Sequence, residues 1–304
     1  MKDKYFDIQG RYSHPLTKLK QHFIKLFKEV TEHGTDKNTP QINLDYFCVH
    51  IVEHCNLNCQ FCDHFAPLAA KEFADIKVFE NDFARLSELL DVKVNQIALM
   101  GGEPLLHPKL NDFLYVARRH FPKTRLSLVT NGILLLKKTE DFWKSCRNNN
   151  IIITNTKYPI KLDFNKIKKV AKQYGVRCEY YGGTGFGLKT SVHLPLDLEG
   201  KQNVYRNFTK CSQANDCCFL AKGRLFTCTV APNIRHFNNF FNKNLPLTSA
   251  DYIDIYEAQN KDEIMHFLSK PIPFCKFCYI EKRTFGHKWQ KSSKRIKEWT
   301  IEQS

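Results

Sequence analysis

The sequence predicts an α/β protein that combines a parallel sheet with a small cysteine-rich region towards the C-terminus. Between about residues 44 and 200, short apolar runs typical of strands alternate with amphipathic helical segments, and repeated units of this kind form a parallel sheet covered by helices. After about residue 200 the alternation stops, and glycine, asparagine and cysteine become more frequent. The expected regions are a helical extension (1–43), the α/β core (44–200), a cysteine-rich domain (201–285) and a basic helical tail (286–304).

Each element of the core is predicted from its own pattern. The first strand is a β-rich run over residues 47–52, and the helix after it carries an apolar face at helical spacing: Phe79, Phe83, Leu86 and Leu90. The next strands are expected at residues 96–100, 125–129, 151–154 and 176–181, with a less regular one near 192–198. The remaining helices are expected at residues 112–120, 140–148 and 164–174, the last capped by Asp163 and closed by Gly175.

Composition limits the function. The extension predicts one helix between Leu16 and Val30 that ends at Gly34. No apolar run of about 18 residues is present, and the first residues lack a signal-peptide core, so we expect a cytoplasmic protein without a membrane span. Structural disulfides are rare there, so the 12 cysteines favour metal or cluster ligation. The net charge of +15 would suit an anionic partner, but nucleic acid is not expected because no nucleic-acid-binding motif accompanies it.

The first candidate site is a close group of cysteines. Cys55, Cys59 and Cys62 follow the first strand at C-x3-C-x2-C spacing, so their thiolates can converge on one metal centre. Structural zinc sites and iron–sulfur cubes usually take four protein ligands. Three cysteines therefore suggest a cube with one iron left open to another ligand, and a zinc or redox site is the alternative.

Two further motifs follow the ends of the next two strands: Gly101-Gly102-Glu103-Pro104 and Thr130-Asn131-Gly132. Glycines let the backbone approach a ligand closely, and Glu103 offers an acceptor for an ammonium group. A tight turn with an exposed glutamate is the plain alternative, and Asn-Gly is also a common turn. A glycine-rich segment, residues 182–187, follows the fifth strand. It is interpreted as a loop at the edge of the sheet where the parallel strands end.

Together these motifs resemble the radical SAM superfamily, whose hallmark is C-x3-C-x-aromatic-C with Phe61 as the aromatic residue. The resemblance implies a partial (β/α)6 TIM-like barrel. It also implies that the three cysteines hold a [4Fe–4S] cluster whose fourth iron binds S-adenosylmethionine (SAM). One electron, from a flavodoxin- or ferredoxin-type donor, then splits SAM into a 5′-deoxyadenosyl radical. The implied cofactor-binding residues are Phe61, Gly101, Gly102, Glu103, Pro104, Thr130 and Asn131.

A second cysteine group lies in the C-terminal region. Cys211, Gly223 and Cys228 are followed by the pair Cys275 and Cys278, and four thiolates fit a closed tetrahedral or cubane site. This spacing resembles the SPASM/twitch extension of radical SAM enzymes, in the single-cluster form of the aminocyclitol dehydrogenases of butirosin biosynthesis. The resemblance implies one auxiliary [4Fe–4S] cluster.

Some cysteine assignments stay open. Cys217 or Cys218 could replace Cys211 as the first ligand of the second group, and a structural zinc ion is an alternative to the cluster there. The other cysteines lie in strand or helix patterns and are expected to be buried thiols: Cys48, Cys146 and Cys178.

The first functional hypothesis is a radical SAM oxidoreductase that acts on a small polar molecule such as a sugar or aminocyclitol. Its auxiliary cluster would accept an electron from the substrate radical. The alternatives are a peptide or protein maturase, and a basic zinc protein that binds nucleic acid. Proton loss needs a base, and the candidates near predicted strand ends are Glu53, His54, His64, Tyr181 and His193. No catalytic residue is assigned among them.

Overall fold

The computed structural model describes residues 37–181 and 188–301. The helix predicted between residues 16 and 34 and the glycine-rich segment 182–187 lie outside these described residues. Within them, the helices are all too short or too polar to cross a membrane.

The centre of the fold is an eight-stranded sheet. Five strands lie side by side in chain order and run parallel: β1 (Leu44–Val52), β2 (Val94–Gly101), β3 (Arg125–Thr130), β4 (Ile151–Thr156) and β5 (Cys178–Tyr181). All five occur where the sequence predicts strands. The α/β fold class is confirmed, and the C-terminal ends of these strands meet at one edge.

Four helices connect these strands and cover the sheet: α1 (Ile76–Leu89), α2 (Leu110–His120), α3 (Glu140–Asn148) and α4 (Phe164–Gln173). The Asp75 carboxylate caps α1 by accepting hydrogen bonds from two backbone N–H groups, at 2.8 and 3.1 Å, and Asp163 caps α4 as predicted. Phe83 on α1 packs edge-on against Phe47 of β1 and Phe121 beyond α2. This apolar packing fixes the strand ends relative to one another.

A hairpin from the C-terminal region extends the same sheet. The sequence predicts this hairpin with Gly223 at its turn, and the structure confirms it as β7 (Cys218–Ala221) and β8 (Arg224–Phe226). β7 pairs in parallel with β1, and β9 (Ile253–Asp254) adds to the outer edge. The buried Asp82 of α1 accepts a hydrogen bond of 2.8 Å from the Gly223 N–H. The cysteine-rich region therefore shares a sheet with the core.

The strand expected near residues 192–198 does not join the barrel. Residues Thr190–His193 form β6, which pairs antiparallel with β10 (Thr284–Lys288) in a separate two-stranded sheet. The free edge of β1 is occupied by β7 instead. Three helices complete this half of the molecule: α5 (Val204–Lys210), α6 (Val230–Phe241) and α7 (Lys261–Leu268).

The basic tail differs from its prediction as a helix. Between residues 286 and 301 the structure has the end of β10 and a single 3₁₀ turn, Ile296–Glu298. Gly286 has a φ of 76°, which does not fit a right-handed helix. The segment that follows pairs its backbone with the loop after β1. These tertiary contacts replace the hydrogen bonds of a helix.

Candidate functional site

The three cysteines of the first group lie on one loop, residues 53–66, which follows β1 and is called the cysteine loop below. Cys55, Cys59 and Cys62 are all partly exposed. Two residues between and beside them have left-handed backbone, Asn58 with a φ of 55° and Phe61 with a φ of 59°. These turns fold the loop tightly, so the structure brings the three predicted ligands together at the C-terminal end of β1.

Burial affects the chemistry of these thiols. It raises the pKa of Cys55 to about 12, and it also raises the pKa values of Cys59 and Cys62. Thiols in such an environment lose their protons when a metal centre supplies positive charge. Across residues 37–181 and 188–301, no three Cys, His, Asp or Glu side chains converge on a single-ion position. As thiolates, these three side chains are suitable ligands for a metal centre.

The glycines after β2 touch the cysteine loop. The Gly102 N–H donates to the Val52 carbonyl at 2.7 Å, and the Glu103 N–H donates to the His54 carbonyl at 3.1 Å. A Cβ added to Gly102 would lie 2.1 Å from the His54 oxygen, and one added to Gly101 would lie 2.0 Å from the Val52 oxygen. The sequence predicts that these glycines let the backbone approach a ligand closely. In the structure they let β2 approach the backbone of the cysteine loop.

Glu103 is fully buried, and its carboxylate accepts hydrogen bonds from the Thr130 hydroxyl at 2.6 Å, the Asn131 N–H at 2.9 Å and the Leu105 N–H at 3.0 Å. Burial nevertheless raises the pKa of Glu103 to about 7. The sequence motif predicts an ammonium group as the partner of this carboxylate, whereas in the structure the carboxylate accepts hydrogen bonds from the protein's own donors. Pro104 is buried in the 3₁₀ turn that follows.

Asn131 connects the end of β3 to the cysteine loop. Its side-chain amide donates to the Asn56 oxygen at 2.8 Å and lies 3.8 Å from the Cys55 sulfur. The backbone N–H of the same residue binds Glu103 at 2.9 Å. The two motifs predicted from the sequence are therefore joined to each other and to the first cysteine. The cofactor-binding roles of Thr130 and Asn131 stay predictions.

Aromatic rings cover the other side of the loop. Phe61 stacks on His193 of β6 with a centroid separation of 4.5 Å, and His287 of β10 lies edge-on at 5.2 Å. The Trp299 indole N–H donates to the Cys62 carbonyl at 2.9 Å. Sequence reasoning missed the tail's contribution. The available signal was the presence of Trp289 and Trp299 in an otherwise basic, polar segment.

Two of the five candidate bases belong to one network. The His64 Nδ1 lies 2.7 Å from His50 Nε2, and Glu53 lies 3.1 Å from His50 Nδ1 and 2.9 Å from His236 Nε2. Burial lowers the pKa of His64. Burial alone would raise the pKa of Glu53, but His50 and His236 outweigh it and hold that pKa well below its usual range.

The other three candidate bases lie apart from this network. His54 packs edge-on against Phe73 at 5.1 Å, and His193 stacks on Phe61. Tyr181 ends β5. Within the described residues, neither of these histidines hydrogen-bonds to the network.

The second group of cysteines surrounds one cavity. Cys211, Cys228, Cys275 and Cys278 all line this cavity, and its remaining walls are mostly apolar. Cys217 and Cys218 do not line it. This geometry favours Cys211 over both alternatives as the first member of the group.

Three elements of the fold supply the four members of this group. Cys211 follows α5, Cys228 follows β8, and the last two lie at the 3₁₀ turn Pro273–Phe277. The Asn207 side chain donates to the Cys275 carbonyl at 2.7 Å and also to the Cys278 carbonyl. These bonds hold the last pair of cysteines against the cavity.

A smaller cavity adjoins this one. Leu194 and Val230 line both cavities, and Phe61 and Trp299 line the smaller. Because Phe61 belongs to the cysteine loop, the two cysteine groups lie on either side of this apolar region.

Comparisons with known proteins agree with this architecture. Residues 49–154 match the radical SAM superfamily. A GTP 3′,8-cyclase of Helicobacter pylori (strain ATCC 700392 / 26695) is 33% identical over 156 residues, which are 51% of this chain and 46% of that protein. A GTP 3′,8-cyclase of Sulfurovum sp. (strain NBC37-1) is 35% identical over 92 residues, 30% of this chain and 28% of that protein. The chain thus spans less than half the length of these relatives.

A solved structure extends the likeness to the whole fold. The crystal structure of BtrN in complex with AdoMet and 2-DOIA superposes with a TM-score of 0.51 at 16% identity, covering 79% of this chain and 94% of BtrN. At that identity the likeness concerns the fold alone. The part of the chain that matches the radical SAM superfamily is residues 49–154, which include the cysteine loop and the ends of β1 to β3.

Proposed function

We propose that the protein is an enzyme that reductively cleaves SAM, with Cys55, Cys59 and Cys62 as the ligands of a [4Fe–4S] cluster. When bound, such a cluster supplies the electron that converts SAM into a 5′-deoxyadenosyl radical. One observation carries the proposal. The cysteine loop sits at the C-terminal end of β1, and the motifs that end β2 and β3 are hydrogen-bonded against it.

The protein's own residues would orient and shield this site. Asn131 reaches Cys55 and Asn56 from β3, while Gly102 allows β2 to close against the base of the loop. The ring stack of Phe61 and His193 covers the loop on its far side. A site closed in this way excludes water and protects a radical from side reactions.

We propose that Cys211, Cys228, Cys275 and Cys278 hold an auxiliary [4Fe–4S] cluster. Four thiolates leave no open iron, so the natural role of such a cluster is electron transfer. A substrate that loses a hydrogen atom to the radical, then a proton, would pass one electron to it. Together these losses amount to a two-electron oxidation of the substrate. The proposal that the enzyme is an oxidoreductase depends on this step. The adjoining apolar cavities support transfer over a short path.

The proposed substrate is a small polar molecule of the sugar or aminocyclitol kind. Its support is the fold shared with BtrN, whose crystal contains AdoMet and 2-DOIA. A peptide substrate is the alternative. The relatives named GTP 3′,8-cyclase match this chain over less than half their length. We therefore do not assign their substrate to this protein. The electron donor would be of flavodoxin or ferredoxin type, in the cytoplasm.

Metal analysis after anaerobic reconstitution tests the proposal. Two cubes predict about eight irons with matching sulfide per chain. Incubation with SAM and dithionite should then release 5′-deoxyadenosine. Cys146→Ala is a matched control, because Cys146 is a buried thiol of α3 remote from both groups. Tightly bound zinc without iron, or iron loading without any 5′-deoxyadenosine, would refute the proposal.

A second experiment addresses the substrate. Reconstituted enzyme is incubated with SAM and candidate compounds in which carbon-bound hydrogen is replaced by deuterium. Deuterium appearing in 5′-deoxyadenosine identifies the molecule that the radical attacks. Transfer from a sugar or aminocyclitol supports the first hypothesis, and transfer only from peptides supports the alternative.

A further inference from the structure

The tail crosses the cysteine loop at its middle cysteine. The Gln60 N–H donates to the Gln290 carbonyl at 2.9 Å, and the Ser292 N–H donates to the Asn58 carbonyl at 2.8 Å. Cys59 and Lys291 face each other in an isolated antiparallel bridge between these bonds. The backbone of residues 289–292 is therefore paired with the turn that carries Cys59.

This pairing places the Trp289 side chain beside the Cys59 sulfur. The Trp289 indole nitrogen is buried and has no hydrogen-bond partner within the described chain. Buried indole N–H groups usually have an acceptor. Tyr158, beyond β4, packs edge-on to Trp289 with a centroid separation of 5.9 Å. Burial raises the pKa of Cys59, and the neighbouring Trp289 and Tyr158 side chains oppose that rise.

A second tryptophan of the tail makes a different bond to the same loop. Trp299 donates its indole N–H to the Cys62 carbonyl at 2.9 Å, which is a backbone oxygen and not a cysteine sulfur. The tail therefore contacts neighbouring cysteines in two ways. The Trp299 contact anchors the loop, whereas the Trp289 contact leaves a buried donor without a partner beside Cys59.

We propose that Trp289 is a positioning residue whose indole N–H hydrogen-bonds the Cys59 sulfur of the bound cluster and raises the cluster's reduction potential. The inference rests on the proposed function, in which Cys59 holds that cluster. A donor directed at a ligand sulfur stabilises negative charge there, and the reduced cluster carries one more negative charge than the oxidised cluster. The bond therefore makes the first electron easier to accept.

The test is an EPR-monitored redox titration of the reconstituted full chain, in which the first cluster is identified by the change of its signal on adding SAM. Trp289→Phe keeps an aromatic ring but removes the N–H. At a fixed potential, the ratio of reduced to oxidised cluster in this variant should fall about three- to tenfold. A tenfold fall corresponds to a reduction potential lowered by about 59 mV for one electron. Trp289→His, which keeps a ring N–H, should recover part of the ratio.

Trp299→Phe is the matched control, because it removes the same group from the same tail but leaves Trp289 in place. Its ratio should equal that of the wild type. An unchanged ratio in Trp289→Phe, or an equal fall in both Phe variants, would overturn the inference. So would failure of both Trp289 variants to load iron while Trp299→Phe loads normally. If the wild type itself loads no SAM-responsive cluster, the proposed function fails instead.

Discussion

Gly102→Ala tests how closely β2 and the cysteine loop are packed. A Cβ at this position would lie 2.1 Å from the His54 oxygen, 2.3 Å from the His54 carbonyl carbon and 2.7 Å from the Glu53 oxygen. All three are backbone atoms, so no side chain can rotate away. The base of the loop would have to move by about 1 Å to reach an ordinary contact distance.

The expected cost follows from that movement. Overpacking of this kind costs about 1–3 kcal/mol. The shift also weakens the hydrogen bonds from Gly102 to Val52 and from Glu103 to His54, each worth about 1 kcal/mol. We expect a loss of about 3 kcal/mol, which lowers the melting temperature by about 6 °C. Iron loading on the first cluster should also fall, because the displaced loop carries its ligands.

Thermal unfolding and iron analysis of the reconstituted protein check this result. Gly286→Ala is the matched control. Gly286 has a φ of 76° but no atom within 4 Å of an added Cβ. Backbone strain alone should therefore lower the stability of this variant, by about 1 kcal/mol. If Gly102→Ala melts within about 2 °C of Gly286→Ala and loads iron normally, then β2 is not closely packed against the cysteine loop.

Three other predictions concern the two cysteine groups and the buried glutamate. Cys59→Ala should abolish 5′-deoxyadenosine formation, measured by chromatography after anaerobic reconstitution with dithionite. Cys211→Ala should lower bound iron from about eight towards about four, whereas Cys217→Ala should not, because only the first residue lines the cavity. Glu103→Gln should alter the pH dependence of stability. Burial raises the pKa of Glu103 from 4.5 to about 7, so its contribution is present at low pH and is lost as pH rises through about 7. Relative to the Gln variant, the wild type should lose about 3 kcal/mol between pH 4.5 and 7 in urea unfolding of the cluster-free protein.

Each of these predictions has a clear contrary result. Persistent 5′-deoxyadenosine formation by Cys59→Ala would remove that cysteine from the cluster. Equal iron loss in Cys211→Ala and Cys217→Ala would mean that the cavity does not identify the ligands. Parallel stability curves for wild type and Glu103→Gln from pH 4.5 to 7 would show that the glutamate has an ordinary pKa in the folded protein.

Local patterns made most of the core predictable. The predicted α3 matches the observed Glu140–Asn148 at both ends, and Asp163 caps α4 as its sequence position suggests. The Gly223 turn was also visible, because a glycine between two apolar runs is typical of a hairpin. Such features depend on residues close in sequence. Spacing of the cysteines was informative for the same reason.

The remainder depends on contacts between distant residues. Nothing near β1 indicates that its free edge pairs with β7, since Phe47 and Cys218 are 171 positions apart in the sequence. The direction of the Glu103 carboxylate depends on Thr130, a residue of the next strand. The tail reads as a basic helix because its pairing partners, such as Asn58, lie at the other end of the chain. Tertiary hydrogen bonds override the local preference in each case.

These distant contacts converge on the cysteine loop. Gly102 closes against its base, Asn131 reaches Cys55, and Trp299 binds the carbonyl of Cys62. A loop that the rest of the fold already holds in place does not have to be ordered by its cofactor, so less of the binding energy is spent on loss of conformational freedom. Weakening the contact at Gly102 or Asn131 should then appear first in cluster affinity, while the sheet itself, with its separate apolar packing, remains folded.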